Sequence, residues 1–263
     1  MNYQPLQESY YKAGVDYRHG SPHLSYLPLN DRLVGVLRSC ISDLSVAGLP
    51  LRVLEVGAGH GGFTEPALAA GCDITAVEMS QASLAELGAR YRTNPKFTCV
   101  FDPDGTLSDI DGEYSLVLCV AVLHHIPDYL KFLTNVCDRL APGGTLLTLQ
   151  DPLWYPRMKA VAHRADRAAY MVWRSTQGEL GKGFASLTRR LRNRYDETNP
   201  SDMVEYHVMR RGVDEEAMRD LLAERFADIS VVRYWSNQLR AGQRTGDRLG
   251  WENTFGMIAT GRR

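Results

Sequence analysis

The most constraining feature of this chain is an apolar run that ends in a cluster of glycines. Leu51-Arg52-Val53-Leu54-Glu55-Val56 leads directly into Gly57-Ala58-Gly59-His60-Gly61-Gly62, and a helical pattern begins at Phe63. Short apolar runs of this kind read as buried strands. Glycine is required after such a strand where the backbone must turn sharply and where a Cβ would keep a ligand away from the main-chain N–H groups. Strand, glycine turn and helix in this order open a β-α-β unit with a built-in ligand crevice.

The same alternation continues downstream. Asp73–Val77, Phe97–Phe101, Ser115–Val122 and Thr145–Leu149 read as further buried parallel strands. Helical patterns lie between most of them: Phe63–Ala70 closed by Gly71, Ser80–Tyr91 with Ser80 as N-cap, and Tyr129–Leu140 closed by Pro142-Gly143-Gly144. Upstream, Asn30 or Asp31 is placed to cap a helix whose Leu33, Val34, Leu37, Cys40, Ile41 and Leu44 share one face. A helix over Val213–Arg225 and two strands, Ile229–Trp235 and Asn253–Thr260, close the chain. This pattern predicts an α/β fold: a Rossmann-like, seven-stranded, mostly parallel sheet with helices on both faces and a helical cap inserted after the fifth strand. Four segments are expected: an N-terminal helical covering segment (1–49), a cofactor-binding core (50–151), the cap (152–212), and a C-terminal helix with the last two strands (213–263).

Composition removes several alternatives. The chain has 263 residues, 44% of them hydrophobic and 23% charged, which is ordinary for a globular protein with a large core. Thirty basic against thirty-one acidic side chains give a net charge of -1, so nucleic acid is not an expected partner. No apolar stretch approaches the roughly 20 residues of a membrane span. The N-terminus lacks a secretory pattern and the five cysteines form no C-x-x-C pair, which makes a reduced, cytoplasmic setting the expectation.

Gly57, Gly59 and Gly62 satisfy the dinucleotide pattern G-x-G-x-x-G literally, so the turn alone leaves nicotinamide and other adenosine cofactors open. Glu78 closes the second strand, where a carboxylate can accept hydrogen bonds from both ribose hydroxyls. With Glu55 two residues before the first glycine, and with Ala76-Val77-Glu78-Met79-Ser80, Val122-Leu123-His124-His125-Ile126-Pro127-Asp128 and Leu140-Ala141-Pro142-Gly143-Gly144-Thr145-Leu146, the chain resembles the class I S-adenosylmethionine-dependent methyltransferases over about residues 50–151. The resemblance implies S-adenosylmethionine as cofactor and S-adenosylhomocysteine as product. It implies a cofactor site at Glu55, Gly57, Ala58, Gly59 and Gly61, with Glu78 on the ribose, Met79 on the adenine face and Asp102 on the adenine amine. The chain departs from the family in the Phe101-Asp102-Pro103-Asp104-Gly105 turn and in Ser115, which stands where an aspartate commonly begins the fourth strand.

Methyl transfer from a sulfonium is an in-line displacement, and a hydroxyl acceptor needs its proton removed whereas a carboxylate does not. His124 and His125 follow the fourth strand and Asp151 follows the fifth, so both strand ends open on one crevice. A histidine held by a carboxylate has the tautomer and orientation of a general base. The motif is similar to that of sugar O-methyltransferases, where paired histidines and this aspartate form the proposed catalytic group. A divalent metal on the same three residues is the weaker alternative, because adjacent side chains diverge and no further ligand spacing joins them. Carbon or nitrogen methylation, and a non-catalytic cofactor-binding protein, are the rival functions.

Aromatic residues Tyr17, Trp154, Tyr155, Tyr170, Trp173 and Tyr206 crowd the covering segments and suit a small organic acceptor such as a sugar or glycoside. From Arg157 to Arg194 there are ten basic and two acidic residues, including a basic amphipathic pattern over 184–195. That pattern is either the solvated face of a packed helix or an attraction for an anionic or lipid-linked acceptor. The oligomeric state is open, a homodimer included.

Overall fold

The computed structural model of the protein describes residues 20–176 and 211–263. Tyr17, Tyr206 and the basic pattern of 184–195 lie outside the described residues. The elements are α1 (Pro22–Ser25), α2 (Leu27–Val46), β1 (Arg52–Val56), α3 (Thr64–Ala69), β2 (Asp73–Glu78), α4 (Gln81–Arg90), β3 (Phe97–Phe101), β4 (Tyr114–Val120), α5 (Tyr129–Cys137), β5 (Leu140–Pro152), α6 (Ala160–Thr176), α7 (Glu215–Ala223), β6 (Asp228–Tyr234), α8 (Arg240–Leu249) and β7 (Thr254–Thr260). The sheet has seven strands in the order β3-β2-β1-β4-β5-β7-β6, with β7 antiparallel to both neighbours and the other pairings parallel. This is the expected Rossmann-like architecture. The order reverses between β1 and β4, which places the ligand crevice outside their carboxyl ends.

Strand alternation divides the core into two layers. Leu116 and Leu118 of β4 with Leu147 and Leu149 of β5 face α2, α3 and α4, where Leu33, Leu37, Ala67 and Leu87 receive them. Val117, Cys119 and Leu146 face the other way, toward Leu133 and Val136 of α5 and Met218 and Leu222 of α7. Leu33, Leu37, Leu116 and Leu118 have no exposed surface, so truncating any one to alanine costs about 2–5 kcal/mol. Because β4 is covered on both faces, its run Leu116–Val120 is apolar throughout rather than alternating.

Three local expectations change. Helix α2 begins at Leu27 with Pro28 in its first turn, and its N-cap Tyr26 makes no side-chain cap bond. Neither Asn30 nor Asp31 is the cap; Asn30 instead donates its Nδ2 to the His23 carbonyl at 2.8 Å, tying α2 to α1. Proline pre-sets the helical φ and needs no capped N–H, so the helix starts a turn early. Helix α5 ends at Cys137, and Pro142-Gly143-Gly144 belongs to an irregular first part of β5 whose pairing with β4 shifts between Tyr114 and Leu116. Ser80 does cap α4, accepting from the Ser83 N–H at 3.3 Å. Helix α8 was not expected: its buried positions are Gln243 and Gly246, so it carries no apolar stripe.

The described part of the cap region is a short 3-10 turn, Tyr155–Arg157, and helix α6. Arg157 pairs with Asp214 at 2.8 Å, Glu215 at 3.1 Å and Glu216 at 2.8 Å, and lies over the Trp154 ring at 4.6 Å. Leu153 bridges to Val213, so the chain leaves and re-enters the sheet region at one clasp. Helix α6 is fastened to the sheet edge by Asp166, whose Oδ1 accepts from Asn237 Nδ2 and Asn253 Nδ2, both at 2.8 Å. Among the described residues, no helix is long and apolar enough to cross a membrane.

Candidate active site

The glycine turn is held by hydrogen bonds across the crevice. The Gly57 N–H donates to the Val77 carbonyl at 2.8 Å and the Gly59 N–H donates to Glu78 Oε2 at 2.8 Å, so the turn is pinned to the end of β2. Gly57 has φ +71° and Gly59 φ +54°, left-handed values that other residues adopt at a cost of about 1–2 kcal/mol. The two glycines serve different ends. A Cβ on Gly57 would lie 2.6 Å from Val122 Cγ2, whereas a Cβ on Gly59 would meet nothing within 4 Å. The first glycine permits close packing of turn on loop, and the second leaves open space.

That space is a cavity lined by Glu55, Gly57, Ala58, Gly59, Glu78, Met79, Asp102 and His125, which brings together all the sequence-predicted cofactor residues but Gly61, and one of the two histidines. Gly61 does not line it, since its Cβ position faces Leu87 and Tyr91 beneath the turn. Helix α1 roofs the cavity with His23 and Leu24, and Phe63 and Phe132 close its sides.

Three buried carboxyls set the electrostatics. Burial pushes Glu55 up to about 7, against the Thr64 hydroxyl that donates to it at 2.5 Å and with Glu78 adding to the rise. Burial also raises Glu78, opposed by the N–H groups of Gly59, Ser80 and Met79. Asp102 is raised by burial and accepts from the Leu107 N–H at 2.9 Å. Carboxyls driven toward protonation by burial are relieved by a cationic ligand. The cavity therefore suits the sulfonium and amino groups of S-adenosylmethionine, and Glu78 offers a pair of acceptor oxygens at the end of β2.

At the lip of the cavity, Leu123–His125 forms a single 3-10 turn after β4. Asp151, fully buried, accepts through Oδ1 from the His124 backbone N–H at 3.1 Å and pairs with His124 Nδ1 at 2.9 Å. A carboxylate only accepts, so Nδ1 carries the proton and Nε2 carries the lone pair. The His125 ring lies against that of His124 with centroids 4.0 Å apart and lines the cavity. Among the described residues, no group of three or more His, Cys, Asp or Glu side chains is arranged to hold a metal ion.

The aromatic residues separate. Trp154 stacks on Arg157 and Tyr155 on His163, with ring centroids 4.8 Å apart in the second pair, and neither lines the cofactor cavity. Tyr170 stacks on Trp173 at 6.0 Å, and Trp173 lines a neighbouring pocket with Tyr26, Asn237 and Gln243. His23 was overlooked as a site residue. It is 4% exposed, its Nδ1 has no hydrogen-bond partner among the described residues, and burial with His124 nearby pushes it down to about 3.

Residues 31–194, more than half of the chain, match the methyltransferase domain family. A ubiquinone biosynthesis O-methyltransferase of Marinobacter nauticus is 29% identical over 136 residues, 48% of this chain and 54% of that protein. A highly reducing polyketide synthase of Strobilurus tenacellus is 32% identical over 108 residues, 37% of this chain and 4% of that protein. The chain thus spans about half or less of these relatives' lengths. A Haemonchus contortus phosphoethanolamine N-methyltransferase, solved with S-adenosylhomocysteine, shares the fold with a TM-score of 0.50 at 15% identity, over 81% of this chain and 49% of that one. By sheet order, glycine turn and matched profile, the chain belongs to the methyltransferase domain family, whose chemistry draws on S-adenosylmethionine.

Proposed function

We propose that this protein transfers a methyl group from S-adenosylmethionine to a hydroxyl of a small molecule, with a sugar or glycoside as the favoured acceptor class. The observation that carries this reading is the His124–Asp151 pair at 2.9 Å beside the cofactor cavity. An amine acceptor with a free lone pair has no need of a base set in one tautomer, whereas an alcohol stays protonated at neutral pH until a base takes its proton. The O-methyltransferase names of several curated relatives support an oxygen acceptor.

When bound, the cofactor supplies a methyl group already activated on a sulfonium. Gly57, Ala58 and Gly59 would hold its methionine side, Glu78 its ribose hydroxyls, and Met79 and Asp102 its adenine. Asp151 keeps His124 in the Nδ1–H tautomer, and His124 Nε2 accepts the acceptor's proton. As the imidazolium forms, the buried Asp151 carboxylate balances its charge. His125 borders the same space and shapes the approach of the acceptor. In their described parts the N-terminal and cap segments approach each other at Gly20 and Trp173, and there they would cover the crevice and exclude water.

The test is Asp151→Asn. The amide can offer Nδ1 a donor as well as an acceptor and carries no charge to balance the imidazolium, so turnover should fall by about 10²–10⁴-fold, the usual contribution of a positioned base. Affinity for S-adenosylhomocysteine should hold. A variant that turns over as fast as the parent refutes the base assignment.

A further inference from the structure

The candidate base pair is itself set in place by the strand behind it. Strand β5 pairs regularly with β7 from Leu146↔Ala259 to Thr148↔Met257, and pairing resumes at Asp151↔Phe255. Two residues of β5, Leu149 and Gln150, therefore oppose one of β7, Gly256, which is a β-bulge. Gln150 takes φ +66°, a left-handed backbone that strains a non-glycine residue. Gly256 is what makes room, since a Cβ there would lie 2.6 Å from Leu149 Cδ2 and 2.7 Å from the Thr148 carbonyl oxygen. The neighbouring strand breaks at the same level: Ala121, just after β4, has φ +58° and donates to the Leu149 carbonyl at 2.8 Å.

A strained residue of this kind persists only when its surroundings hold it. Gln150 is gripped twice by the end of β6. Its backbone N–H donates to Tyr234 Oη at 2.7 Å, and its side-chain Nε2 donates to Ser236 Oγ at 2.7 Å. The Tyr234 hydroxyl also contacts Gln150 Oε1 at 3.4 Å. Tyr234 is 2% exposed, and Ser236 is anchored in turn by donating its N–H to Asn253 Oδ1 at 2.8 Å. The residue immediately after the bulge is Asp151. A bulge changes which side of the strand the next side chain takes, so the grip on Gln150 decides where the Asp151 carboxylate stands.

We propose that Tyr234 is a positioning residue: its phenol oxygen holds the Gln150 bulge, and through it fixes the Asp151 carboxylate on His124. The inference rests on the reading of His124 and Asp151 as the base pair for its catalytic meaning, but its structural content is separate. The alternative is that Tyr234 only fills the core, with its ring under the Arg32 guanidinium at 5.7 Å. Tyr234→Phe distinguishes the two, because it keeps the ring and removes only the oxygen. Burial and the nearby Asp151 both raise the phenol, so it is a neutral O–H at every working pH and no titration of its own confuses the test.

The experiment is nitrogen NMR of histidine-labelled protein with bound S-adenosylhomocysteine, which reads the His124 tautomer without an acceptor. The parent should show His124 as a single Nδ1–H tautomer. Tyr234→Phe should show mixed tautomers, and adding Gln150→Gly should restore the single form, since glycine takes the left-handed backbone without strain. With an acceptor in hand, Tyr234→Phe should lower kcat by about ten- to a hundredfold, part of what a positioned base supplies, at unchanged cofactor KM. An unchanged His124 spectrum in Tyr234→Phe, or no recovery on adding Gln150→Gly, overturns the proposal. The two readings fail separately. If Asp151→Asn keeps full turnover while Tyr234→Phe mixes the tautomers, the base assignment falls and the positioning role stands.

Discussion

The two glycines of the turn offer a sharp test, because the structure gives them different neighbours. Gly57→Ala adds two costs. The backbone at φ +71° disfavours a Cβ by about 1–2 kcal/mol, and the new carbon meets Val122 Cγ2 at 2.6 Å, an overlap worth about 1–3 kcal/mol. The sum is about 2–5 kcal/mol, which for a protein of this size lowers Tm by roughly 4–20 °C. Gly59→Ala carries only the backbone cost, about 1–2 kcal/mol, because nothing lies within 4 Å of its Cβ position. Its effect should fall on binding instead, since the methyl projects into the space assigned to the cofactor. An overlap of about 1–3 kcal/mol with the ligand weakens affinity by roughly 5- to 150-fold. Urea and thermal unfolding without ligand, with calorimetric titration of S-adenosylhomocysteine, measure both halves. If Gly59→Ala binds the cofactor like the parent, the open space is not the cofactor site. If the two variants are equally unstable, the Val122 contact does not carry the cost worked out above.

Glu55→Gln should change the pH dependence of stability. Burial lifts the folded carboxyl to about 7 from an ordinary value of 4.5, so the folded chain holds its proton more tightly than the unfolded chain. Stability is therefore lost as pH rises from about 4.5 to 7, by about 3 kcal/mol in all, and the glutamine variant removes that loss while still accepting from Thr64. Denaturant titrations at pH 5 and pH 8 should show the difference between variant and parent growing by this amount, and parallel profiles would refute the assignment. Asp166→Ala leaves the Asn237 and Asn253 amide groups without their shared acceptor and should destabilise by about 1–3 kcal/mol in urea at unchanged m. No loss would mean that α6 is held by other contacts.

The sheet and the glycine turn were legible in the sequence for one reason. Strands buried on both faces, such as Leu116–Val120, must be apolar throughout, and a left-handed turn at Gly57 and Gly59 requires glycine, so both leave a compositional mark. Helix α8 left none. It packs through Gln243, which bonds the Asn237 N–H and the Trp235 carbonyl, and through Gly246, where the Trp235 indole lies where a Cβ would be. A helix held by amides and a glycine contact shows no hydrophobic period. Which of His124 and His125 pairs with Asp151 was equally invisible, because the two side chains are chemically alike. Asp151 follows a one-residue bulge at Gln150, and nothing in the run Leu146 to Gln150 announces that the register will break there. The start of α2 at Leu27, ahead of the Asn30 or Asp31 cap, was misread for a related reason: a capping side chain was assumed where Pro28 had already fixed the backbone.

The measurement that tests the account most directly is transfer of an isotopically labelled methyl group from S-adenosylmethionine to a panel of sugars, glycosides, phenols, amines and activated methylenes, with mass spectrometry and NMR locating the label. The His124–Asp151 pair predicts the label on oxygen, with the signal lost in Asp151→Asn at unchanged S-adenosylhomocysteine affinity. Label on nitrogen or carbon, formed equally well by Asp151→Asn, would contradict it.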